Sequence, residues 1–142
     1  MKNKLNKKGF TLVELLAVIV VLAIIMVIAT TQITGVIKKN TVNSFSSSLD
    51  VVAKAAKMAY TQELENLEQS DIEAGVDYDT SQYTISYSKN SDNVCIISAA
   101  GGKFDNMDEN YMPKKKDNEG NDVLADGWTI TGNQTTACKK FK

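Results

Sequence analysis

Hydrophobic and polar positions divide the chain into stretches of different period. From Phe10 to Ala29 there are 20 residues, of which only Thr11 and Glu14 are polar. An apolar block of that length predicts a helix of about 30 Å, the thickness of a bilayer's hydrocarbon core. After Thr34 the pattern becomes one-sided. Phe45, Leu49, Val52, Ala56, Ala59, Tyr60, Leu64 and Leu67 recur at spacings of three and four. Ser46, Ser47, Asp50, Lys54, Lys57, Gln62, Glu63 and Glu65 lie between them. This spacing predicts an amphipathic helix with one buried stripe. No proline interrupts Phe10 to Leu67, so the two stretches read as one helix of 58 residues, about 85–90 Å if continuous.

Beyond it the period changes. The segment Asp71 to Asp79 is acidic and reads as an irregular connection. Tyr83 to Tyr87 alternates apolar with polar, as a half-buried strand does. Asn90-Ser91-Asp92-Asn93 is a turn cluster, and Val94 to Ser98 reads as the paired strand, ended by Gly101-Gly102. Lys103 to Asp126 is polar, with Pro113 and the run Lys114-Lys115-Lys116, which reads as a solvated turn. Gly127 to Thr131 predicts a third strand, and a fourth is weakly signalled near Phe104 or Val123-Leu124. One long helix against a small antiparallel sheet is an α+β arrangement.

Composition narrows the function. With 142 residues the chain suits one domain. It has no His, which removes Ser-His-Asp and Cys-His catalysis and His-ligated metals. All 16 basic residues are Lys, so bidentate Arg recognition of phosphate or guanine is also missing. A pI near 5.5 argues against a general nucleic-acid binder. No nucleophile–base pair, phosphate loop or metal cluster stands out. The expectation is a protein that is not an enzyme and needs no cofactor. Lys- and Asn-rich usage without Arg suits an AT-rich genome.

Lys2, Lys4, Lys7 and Lys8 precede Gly9 and the apolar block, a basic flank that favours retention on the cytoplasmic side. A cleaved signal peptide ending near Ala29 fits these residues, and so does a plain membrane anchor. Glu14 fits neither task, because a carboxylate within an apolar span costs about 2.5–3.5 kcal/mol at the centre and less near the end. One reading makes it a capping-box partner, with Thr11 at the N-cap and Glu14 at N3. The other comes from resemblance. Lys7-Lys8-Gly9-Phe10-Thr11-Leu12-Val13-Glu14-Leu15-Leu16 resembles the type IV prepilin signature over about ten residues. The likeness is to a major pilin of the Gram-positive, clostridial kind.

The resemblance implies a pilin fold, one very long N-terminal helix with its C-terminal half packed on the sheet. It divides the chain into a leader (1–9), a transmembrane and filament-core half-helix (10–34), an amphipathic half-helix (35–68) and a β-rich head (69–142). Prepilin peptidase would cut between Gly9 and Phe10 and methylate the Phe10 amine. The mature chain then has 133 residues and a side-chain balance of 12 − 17 = −5. Glu14 would neutralise the Phe10 amine of a neighbouring subunit and fix the filament register. The implied partners are further copies of the chain, the membrane before assembly, an assembly ATPase and a platform protein, with no nucleic acid. The implied location is the cell membrane and then an extracellular filament serving adhesion, twitching motility or aggregation. A minor pilin, or a pseudopilin of type II secretion or DNA uptake, shares these features, and a membrane-anchored surface-binding protein is the alternative of another class. Many pilins carry a proline where this chain has Thr31, with Thr30 and Gly35 nearby as softer substitutes.

Cys95 and Cys138 are the only cysteines. In an exported head a disulfide between them would resemble the bridged C-terminal loop of many pilins and stabilise by at most about 4 kcal/mol. Two unrelated thiols are the alternative. Asp117-Asn118-Glu119-Gly120-Asn121-Asp122 suggests calcium, as in some pseudopilins, but departs from the EF-hand pattern. A solvated loop without metal is the expectation there. Asn133-Gln134-Thr135 matches a short glycosylation acceptor, and Trp128 reads equally as core or contact.

Overall fold

A computed structural model describes residues 7–62 and 66–142, with side chains from Thr11 onward. The leader residues Met1 to Asn6, and Glu63, Leu64 and Glu65, lie outside the described residues. The chain divides into two compact units, Met1–Ile37 and Lys38–Lys142. Helix α1, Lys7–Gln62, has 56 residues and contributes to both. Thr30, Thr31 and Thr34 stay helical, and each hydroxyl donates to the carbonyl three residues back, at 3.0–3.2 Å. The helical backbone already covers Lys7 to Phe10, so Thr11 lies inside α1 and not at its N-cap.

The assigned helix ends at Gln62, short of the expected Leu67. Its last turn has no basic residue to complement the negative end of the helix. Leu67 is buried in non-helical chain, so its apolar spacing marked the core and not the helix. The expected irregular connection contains a second helix, α2 (Gln69–Ala74), started by the Asp71 carboxylate accepting the Glu68 N–H at 2.9 Å.

Six strands follow: β1 (Tyr83–Ser88), β2 (Asn93–Ser98), β3 (Lys114–Lys116), β4 (Asp122–Leu124), β5 (Trp128–Thr131) and β6 (Gln134–Lys140). They make a four-stranded antiparallel sheet in the order β1-β2-β6-β5 and a separate β3-β4 hairpin. This long helix followed by a small antiparallel sheet is an α+β, pilin-like fold. Strand β6, unforeseen in the sequence, is central. Its Lys residues conceal an alternation in which Thr135 and Ala137 face inward. The lysine run is a strand and not a turn, and Phe104 lies in irregular chain, not in a strand.

One face of the sheet carries Ile85, Val94, Ile96 and Ala137 against Val42, Phe45, Leu49, Val52 and Ala56 of α1. Phe45 is the hub, with ring centroids 5.1 Å from Phe104 and 5.9 Å from Trp128. Trp128 is therefore core. Thr135 and Ser98 are the buried polar pair, matched by the Thr135 N–H donating to Ser98 Oγ at 2.9 Å. Hydrogen bonding removes the cost of burying that hydroxyl.

Gly127 lets β5 start against β6. Its φ is +86°, and a Cβ there would lie 2.4 Å from the Cys138 carbonyl oxygen. The Cys138 N–H donates to the Gly127 carbonyl at 2.8 Å, so the approach is built into the ladder. Gly132 also has positive φ (+61°) but opens onto free space. Gly127→Ala should therefore lower the thermal midpoint by roughly 5–15 °C, combining the left-handed penalty with the clash. Gly132→Ala should lower it less. Equal shifts in circular dichroism melts of the detergent-solubilised chain would show that the backbone clash carries no weight.

Candidate functional site

In the first unit the described side chains lie along one helix and are nearly all exposed. Leu12, Val13, Leu15, Val18, Val21 and Ile24, which fall on all sides of α1 at about 100° per residue, are each at least half exposed. The described part of α1 is long and apolar enough to cross a membrane, with a peak mean hydropathy of 3.2. A helix that is apolar on every side belongs in lipid or among other helices. Glu14 is exposed on this helix, four residues beyond Phe10. Residues four apart share a helix face, so the carboxylate and the backbone nitrogen of residue 10 lie about one turn apart. The backbone of Gly9 and Phe10 is helical, while the Phe10 side chain lies outside the described residues.

In the second unit, Cys95 of β2 and Cys138 of β6 are directly paired across the ladder and joined by a disulfide, Cα atoms 4.0 Å apart. Burial alternates along both strands, with Val94, Ile96, Thr135 and Ala137 inward. The bridge is therefore on the face of the sheet away from the core, half-buried. It clamps two central strands without occupying core volume.

The acidic loop is the β3-β4 turn, and its chemistry is internal. Asp117 accepts from the N–H groups of Glu119 (2.9 Å) and Asn121 (2.8 Å) and from Asn121 Nδ2 (3.2 Å). Its oxygens hold the turn, and no metal-holding group of three or more His, Cys, Asp or Glu occurs among the described residues. The lysine run is largely neutralised, because Lys115 pairs with Asp126 and Lys116 with Asp122 at 2.7 Å. In the glycosylation triplet Asn133 is exposed and its carbonyl accepts the Asn106 N–H, but Thr135 is only 1% exposed.

Two ion pairs tie the loop at Asp108 and strand β6 to α1. Lys38 reaches Asp108 at 3.0 Å, and Lys139 reaches Asp50 at 2.6 Å. Sequence separations of 70 and 89 residues left no local signal for either. Lys142 pairs with Asp92 at 3.2 Å and lies over the Tyr60 ring, and its ammonium is held above the ordinary value by the Tyr60 hydroxyl and then by Asp92.

Unit by unit, these features are an exposed apolar helix long enough to cross a membrane and a disulfide-clamped head. Residues 4–30 match the family model described as the prokaryotic N-terminal methylation motif, which is the type IV prepilin signature. The chain thus carries the type IV prepilin signature at its N-terminus, and that motif implies processing by prepilin peptidase. No curated protein and no solved structure matches the chain.

Four aspartates of the head have carboxyls held below the ordinary value of 3.8. For Asp117 and Asp108 the largest cause is a backbone N–H, from Asn121 and Asn110 respectively. For Asp79 it is the Ser81 hydroxyl, and for Asp122 it is Lys116. A carboxyl with a folded pKa below its unfolded one stabilises fully above the unfolded value and loses that contribution as pH falls through the folded value. The head should melt earlier as pH drops below about 4. Asp117→Asn should flatten that acid limb in melts recorded across the range. An unchanged limb would show that the Asp117 turn does not contribute.

Proposed function

We propose that this chain is the structural subunit of a type IV pilus, working by self-assembly and doing no chemistry of its own. The observation that carries the reading is Glu14, the one charge in the exposed apolar stretch of α1 from Thr11 to Ile37. Cleavage after Gly9 gives Phe10 a new amine at a helix start, and N-methylation leaves it cationic. Within one subunit that amine and Glu14 are a turn apart on one helix. Between subunits the same two groups set an axial register, because a slipped helix would bury each charge alone. Unpaired buried charge costs more than pairing returns, so such a pair selects geometry more than it adds stability.

On this reading the membrane holds the processed subunit until an assembly ATPase and a platform protein feed it into a growing filament. There neighbouring stems replace lipid, and the heads form the outer surface, available for adhesion, twitching or aggregation. A pseudopilin or minor-pilin role would use the same stem. Abundance separates them, since a major subunit dominates sheared surface filaments on a gel.

Intact mass and N-terminal sequencing of the filament subunit should give a chain beginning at N-methylated Phe10. A start after Ala29 would refute the reading. Glu14→Ala should still be processed but should reduce filament yield by about tenfold or more, as expected when one partner of a desolvated ion pair is lost. Normal yield would remove the register role.

A further inference from the structure

The head segregates its charge. Between Lys57 and Lys89 the chain has no basic residue. Glu68, Asp71, Glu73, Asp77 and Asp79 lie in that interval, and none makes an ion pair among the described residues. The opposite sign collects where α1 meets the end of β6. Lys54, Lys57, Lys139, Lys140 and Lys142 surround a concavity of about 340 Å³ beside Phe141, with Asp50 the only carboxylate side chain lining it. Lys139 is taken by Asp50 and Lys142 by Asp92, while Lys54, Lys57 and Lys140 have no ion pair among the described residues.

The two patches flank the same stretch of helix. Asp50, Ala53, Lys54 and Lys57 line the basic concavity. Ser48 lines a hollow with Asp77 and Asp79, and Ala55, Met58 and Ala59 line another with Asp71 and Gly75. At 3.6 residues per turn the two sets of α1 positions point roughly 140–150° apart. The patches are therefore on opposite flanks of α1 and cannot neutralise one another within one head.

We infer that the lysine concavity receives the acidic Glu68–Asp79 segment of a second copy of this chain. The contact rests on the filament reading above and assigns residues to its head-to-head part. Complementary patches on opposite flanks make a heterologous interface, in which each copy offers one patch and uses the other. Such a contact repeats without closing on itself unless the rotation forms a ring, so it propagates a filament. Like charges brought together are strongly unfavourable, so the pattern also rejects basic-to-basic and acidic-to-acidic approach.

The test is charge reversal in the full chain, expressed in cells and scored by sheared filaments against total membrane subunit. Lys54→Glu with Lys57→Glu should cut yield about tenfold or more, and so should Glu73→Lys with Asp77→Lys. The four together should recover most of the yield. These acidic positions spare Asp71, which caps α2, and Asp79, whose carboxylate accepts the Ser81 N–H at 2.8 Å. Zero-length carbodiimide coupling of unaltered filaments gives a second readout that no folding defect can mimic. It should join Lys54 or Lys57 to Glu73 or Asp77 in peptides from covalent multimers. Normal yield from either reversal, failure of the combination to recover, or coupling confined to monomers would overturn the contact while leaving the filament reading in place. Sensitivity to the lysine reversal alone would point to an outside polyanion and also overturn it. An unaltered chain that makes no filaments would remove the filament reading and this contact with it.

Discussion

The controlling constraint is the apolar surface exposed along the first unit's helix. From Leu12 to Ile28 almost every side chain of α1 is exposed, so water is the wrong solvent for the first unit. At about 25 cal/mol per Å² the stem's preference for an apolar surrounding is large and without direction. It holds the helix equally well in a bilayer or among its own kind. Direction has to come from something sparse and polar, and the stem supplies one group of that sort, Glu14. Uniform greasiness sets where the helix can reside, and a single carboxylate sets how it lines up.

The second unit solves the opposite problem. It is small, so its helix-on-sheet core is thin and depends on a few large side chains. Phe45, Phe104 and Trp128 meet around one point, and each comes from a different kind of element: helix, loop and strand. The rest is held at the periphery by ion pairs to the helix, by aspartate-centred turns and by the Cys95–Cys138 bridge. These contacts sit at the surface and leave the core wholly apolar apart from Ser98 and Thr135.

What could be read from the sequence follows from these physics. The stem was legible because its signal is a long run of one character. The amphipathic stripe was legible from period alone, and β1 and β2 from alternation around a turn cluster. Strand β6 was not, because its outward positions are lysines and a cysteine and its inward ones are Thr and Ala, a weak contrast. Phe104 was misplaced for a related reason: one buried aromatic in a polar loop has no period, and only the Phe45 ring explains it. The end of α1 was overrun because Leu67 keeps helical spacing while serving the core from outside the helix. Glu14 could be singled out from sequence because a charge in an apolar run is conspicuous. The Lys38 and Lys139 tethers could not, since their partners are far away along the chain.

The position of the disulfide has a mechanical consequence. The chain from Cys95 to Cys138 is a closed covalent ring of separation 43, which contains the long loop, the β3-β4 hairpin and β5. A subunit pulled through its stem can release slack only as far as Cys95. About 150 Å of contour inside the ring is withheld from extension, at about 3.5 Å per residue. Tension applied through α1 would unravel the head no further than Cys95, and the closed ring beyond would deform without opening while the disulfide holds.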